Sequence, residues 1–162
     1  MKEITRSITY TEFDQATDLP IPLQQLLSKA KSAIANAYAP YSKFKVGAAV
    51  LLQNGEMISG SNQENASSPV GICAERVALS AASAMFPSVP VISLAVSAKG
   101  NDYEIREPVS PCGLCRQTIL EYEFRFRQNI EIVLQGEEGK IFLISTVKEL
   151  LPLNFSGDDL KK

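Results

Sequence analysis

The apolar positions of this chain fall into alternating blocks of helical and strand period. Leu23, Leu26, Leu27, Ala30, Ile34 and Tyr38 recur three and four apart, which predicts an amphipathic helix that ends before Pro40. Two apolar runs, Phe44–Leu52 and Met57–Gly60, flank Asn54-Gly55, a pair that tolerates the positive φ of a tight hairpin turn. The polar stretch 62–71 reads as a loop. Residues 73 to about 86 form a helix rich in alanine and serine, stopped by Pro87. Val91–Ala98 is apolar enough for a strand covered on both faces. A helix over 112–126, strands over 130–134 and 140–144 around the Gly136-Glu-Glu-Gly139 turn, and a last helix over 147–151 capped by Thr146 complete the pattern. Residues 1–20 alternate weakly at Ile4, Ile8 and Tyr10, which fits a strand or an arm against another subunit. The order predicts an α/β protein, a single domain over 1–162 with three layers, α/β/α, around a central mixed five-stranded sheet.

Composition narrows the function. A chain of 162 residues with 45 % hydrophobic and 21 % charged residues suits one globular domain, and no apolar run reaches membrane-spanning length. The N-terminus lacks the apolar core of a secretion signal, so residence in the cytoplasm is expected. A formal net charge of −2 without a basic cluster argues against a nucleic acid polymer as partner. There is no histidine, which removes serine-histidine and cysteine-histidine catalysis and every imidazole-based metal site. Any metal must rest on cysteine and carboxylate.

The three cysteines supply that chemistry. Cys112 and Cys115 stand three apart at a helix start, a spacing that puts two sulfurs on one face, and Cys73 opens the other small-residue helix. Three thiolates without histidine leave one position of a tetrahedral zinc ion for water, whereas a structural site is closed by four ligands. Glu75, two residues from Cys73, does not share its face and is better placed beside that water as general acid and base than on the metal. One Zn²⁺ and three thiolates sum to −1, so something must offset the excess negative charge. Two helix N-termini, and Arg76 or Arg116 as hydrogen-bond donors to thiolate, are candidates, Arg76 first. Incidental thiols and a purely structural zinc are the plainer readings of the same residues.

Cys73-Ala-Glu75-Arg76 with Pro111-Cys112-Gly-Leu-Cys115-Arg-Gln117 resembles the cytidine deaminases, specifically the homotetrameric kind that holds zinc through three cysteines. The likeness runs from about Leu26 to the C-terminus and includes Tyr41–Gly47, Asn62–Ala66 and Glu149-Leu-Leu-Pro152 followed by Phe155. It implies hydrolytic deamination of cytidine and 2′-deoxycytidine to uridine and 2′-deoxyuridine, as in pyrimidine salvage, with zinc activating water and Glu75 shuttling protons. It also implies that Asn62 and Glu64 bind the ribose, that Phe44 packs beside the base and that the Ala74 backbone reads the pyrimidine edge. Phe155 would enter the pocket of a neighbouring subunit. Two departures stand out: Ser68 occupies a position often aromatic in the family, and the arm of residues 1–20 is longer than usual. A deaminase of a modified cytosine nucleoside, of the blasticidin-S type, and a non-catalytic zinc-stabilised binding module are the alternatives.

Overall fold

The computed structural model describes residues 1–160; Lys161 and Lys162, the end of the expected 1–162 domain, lie outside the described residues. Six strands form one mixed sheet in the order β1-β6-β5-β4-β2-β3. They are β1 (Thr11–Phe13), β2 (Phe44–Leu52), β3 (Met57–Ser61), β4 (Val91–Gly100), β5 (Glu131–Gln135) and β6 (Ile141–Ile144). The helices are α1 (Ile21–Ala33), α2 (Ala74–Met85) and α3 (Gly113–Phe126). β4 and β5, joined through α3, run parallel, and the other pairs run antiparallel.

The two-residue period of the strands divides the interior in two. Ala48, Val50 and Leu52 of β2, Leu94 and Val96 of β4, and Ile132 and Leu134 of β5 face α2 and α3. Their neighbours Ala49, Leu51, Ala95 and Val133 face α1, where Leu23, Leu26, Leu27 and Ala30 cover them. Both faces are therefore buried, which is why these strands read as continuous apolar runs. None of the described helices is long and apolar enough to cross a membrane.

The layering matches the expectation, with three corrections. The sheet has six strands, not five, because Thr11–Phe13 pairs with Ile141–Leu143. Those three residues are largely exposed and are held by pairing, so no apolar pattern marks them. The last element is not a helix over 147–151 but a 3-10 turn at Val147–Glu149, capped by Thr146 as expected, since its side chain accepts from the Lys148 N–H. Finally, α1 stops at Ala33 and relaxes through a 3-10 turn. Tyr38 is thereby free to donate its N–H to Asn62 O at 3.0 Å and accept from the Glu64 N–H at 2.8 Å.

Two glycines set how closely the layers approach. A Cβ on Gly47 would stand 2.1 Å from Ala30 O, and one on Gly60 would stand 2.5 Å from Ala78 N and 2.7 Å from Ala74 O. Backbone that close cannot yield as a flexible side chain would. Gly60→Ala is expected to push α2 off β3 and to cost roughly 1–3 kcal/mol of stability, read as a lowered urea midpoint with an unchanged slope.

Candidate active site

Two helix starts meet at one point. Cys73 is the N-cap residue of α2, Cys112 is that of α3, and Cys115 lies in the first turn of α3. The sulfurs of Cys73 and Cys112 are 3.8 Å apart, those of Cys112 and Cys115 are 3.5 Å apart, and all three lie within 4.8 Å of one another. Thiolates bound tetrahedrally at the usual Zn–S length of about 2.3 Å would stand about 3.8 Å apart, so the set fits zinc. Cys115 is buried, Cys73 is partly so and Cys112 is exposed, which leaves the cluster open on one side.

So tight a group shares its protons. The hydrogen bond from the Cys115 thiol holds Cys73 down to about 6, and the Arg76 charge acts the same way. The same bond, together with burial, pushes Cys115 far above the ordinary thiol range. Burial also raises Glu75, which is only 4 % exposed, against the opposing pull of its own backbone N–H, the Cys115 thiol and Arg76.

Beside the sulfurs lies a cavity of about 460 Å³. The structure brings Cys73, Cys112, Glu75, Ala74, Phe44, Asn62 and Glu64 to its wall. Ser42, Val46, Val96, Val109 and Ser110 line it as well and were not singled out from the sequence. Val46 and Val96 were legible as the strand residues that alternate toward α2, and Val109 and Ser110 only as neighbours of Cys112.

The polar wall is tied to the backbone. Asn62 Oδ1 accepts from the Val46 N–H at 2.8 Å, and Asn62 Nδ2 donates to Phe44 O at 2.9 Å. Glu64 Oε2 accepts from the N–H groups of Tyr41 at 2.9 Å and Ser42 at 3.2 Å. Its carboxyl is held below the usual range, first by the Ser42 side chain and then by those N–H groups. Gln63 and Ile72 exchange backbone hydrogen bonds of 2.9 and 3.0 Å, which couples this loop to the residue before Cys73.

The two arginines expected as thiolate donors meet a different geometry. Arg76 acts on the cluster through its charge, without a hydrogen bond to a sulfur among the described residues. Arg116 is neither a thiolate donor nor a free surface charge: its Nε donates to Pro111 O and its Nη1 to Leu150 O, both at 2.8 Å. Phe155, expected in the pocket of a neighbouring subunit, is exposed and off the wall of its own chain's cavity, with its carbonyl accepting from Gln117 Nε2 at 2.8 Å.

The family profile described as the cytidine and deoxycytidylate deaminase zinc-binding region matches residues 21–128. The chain belongs to this family. It is 40 % identical over 137 residues to a cytidine deaminase of Halalkalibacterium halodurans, a match covering 85 % of this chain and 96 % of that one. A cytidine deaminase of Sporosarcina psychrophila is 37 % identical over 139 residues, covering 85 % and 94 %. Among solved structures, the cytidine deaminase of Burkholderia pseudomallei superposes with a TM-score of 0.71 at 39 % identity, covering 81 % of this chain and 97 % of that chain. In this deaminase the three-sulfur cluster fits zinc, and among the described residues no carboxylate joins the cluster. Elemental analysis should find about one zinc per chain, falling below about a tenth in Cys115→Ser, because a hydroxyl does not replace a thiolate as ligand.

Proposed function

We propose that this chain hydrolyses cytidine and 2′-deoxycytidine to uridine and 2′-deoxyuridine with release of ammonia. The observation that carries the reading is Glu75, a buried carboxyl on the wall of the same cavity as the Cys73 and Cys112 sulfurs. Zinc held by the three sulfurs supplies the Lewis acidity that makes water nucleophilic near neutral pH. Glu75 takes a proton from the attacking water and delivers it to N3 of the ring as the C4–O bond forms. It then carries the second water proton to the departing amine as the C4–N bond breaks, leaving the C4 carbonyl and ammonia.

The remaining wall residues bind and orient. Phe44 and the valines offer an apolar surface to the flat base, and Ala74, on the same wall, supplies the backbone that would read the pyrimidine edge. Asn62 and Glu64 retain acceptor and donor capacity beyond their backbone partners, enough for a ribose hydroxyl. The wall carries two carboxylates and neither Lys nor Arg, which favours a neutral nucleoside over a nucleotide or a polynucleotide. From this preference for free nucleosides we infer a role in pyrimidine salvage in the cytoplasm.

Four copies sharing their pockets is the assembly we infer. Leu114, Leu153 and Phe155 are all exposed large apolar residues near the start of α3 and the segment hung on it, a surface suited to burial against another copy.

In a test of the reaction, Glu75→Ala should lower kcat/KM for cytidine by at least about 10³-fold at unchanged zinc content, measured as ammonia release. Equal turnover in the variant would mean that Glu75 takes no part. Zinc-loaded wild type inert toward both nucleosides would leave a binding module. Light scattering should give four times the chain mass of 17.7 kDa, and Phe155→Ala should raise KM without changing that mass.

A further inference from the structure

We propose that residues 6–13 form a strap that holds the mouth of the active site in shape, a positioning element added ahead of the region that the family profile matches. The proposal deepens the deaminase reading, and its kinetic arm rests on that reading.

The segment from Leu150 to Phe155 follows the 3-10 turn Val147–Glu149 and has no regular structure of its own. It is gripped from two sides. From α3, Arg116 Nη1 donates to Leu150 O and Gln117 Nε2 donates to Phe155 O, each at 2.8 Å. From the arm, the Thr9 N–H donates to Glu149 Oε2 at 2.8 Å and Arg6 Nη1 donates to Pro152 O at 2.7 Å. The arm is itself anchored by β1 pairing with β6, by the Tyr10 ring 4.5 Å from that of Phe142, and by the Glu12–Lys140 ion pair.

The grip reaches the substrate cavity through one loop. Ile8, Thr9 and Tyr10 face Ser110, Glu149 and Leu150 across a small cavity of about 210 Å³, and Ser110 also lines the larger cavity beside the zinc cysteines. Arg116 Nε holds Pro111 O of the same loop. Val109–Pro111, which leads into Cys112, is thus bounded by the strap outside and by Arg116 within. Cys73 and Glu75 are placed by α2, with which residues 6–13 share no hydrogen bond or ion pair among the described residues. Loosening the strap should change how substrate is held more than how fast bound substrate reacts.

The test uses the full chain with Arg6→Ala and Glu149→Ala, alone and combined, Glu149→Gln, and Lys2→Ala as a control upstream of the strap. Readouts are zinc content, amide hydrogen exchange over 109–117 and 149–155, and kcat and KM for cytidine. The combined variant should exchange faster in both segments and raise KM about three- to tenfold, with kcat within about twofold and zinc retained. Glu149→Gln keeps an acceptor for the Thr9 N–H and should recover most of the change, while Lys2→Ala should match wild type. Unchanged exchange over 109–117 in the combined variant overturns the strap, as does failure of Glu149→Gln to recover. So does a joint loss of kcat and zinc, which would signal general damage. Wild type inert toward cytidine would defeat the deaminase reading alone, and the exchange data would still decide the strap.

Discussion

The convergence of two helix N-termini on one set of sulfurs is the constraint to which the other elements answer. Cys73 and Cys112 are 39 residues apart in sequence, yet their sulfurs stand 3.8 Å apart. This requires α2 and α3 to lie on the same face of the sheet with their starts at the same end. The alanines of α2 and Gly60 beneath it let that helix press against β3, so the composition of the layer is part of the site. Each helix start also brings unpaired N–H groups and a partial positive charge toward thiolates, which offsets some of their negative charge.

The opposite wall is organised by hydrogen bonding. Asn62 and Glu64 sit on a loop with little apolar burial, the kind of segment that is usually mobile. Here Tyr38, Val46, Phe44, Tyr41, Ser42 and Ile72 supply backbone partners along it. A polar group already fixed by the protein loses less freedom when a ligand arrives, so specificity comes at a smaller entropic cost.

What was legible in the sequence follows the kind of force involved. Burial leaves a periodic trace, so α1, α2, β2 and β4 could be read from their apolar spacing, and the cysteines and Glu75 from their place at helix starts. Pairing and backbone capture leave little trace. β1 is two exposed residues and a half-buried Phe13 joined to β6 by pairing, α1 ends early and leaves Tyr38 to the 62–64 loop, and the last helix is a single 3-10 turn. Arg116 and Gln117 stand beside Cys115 and invite a reading as parts of the metal site, yet both reach backbone carbonyls of the C-terminal segment. No local pattern could announce those partners, which lie 34 and 38 residues away.

The short strand β1 has a consequence for solubility. Without it, β6 would be the outer strand, with apolar Ile141–Ile144 presenting open N–H and C=O groups on which a foreign strand could add. Thr11–Phe13 covers that edge and replaces it with a rim three residues long, carrying the Glu12–Lys140 charge pair. So brief and charged an edge is a poor template for further strands, and the arm shields the sheet from self-association during concentration and storage.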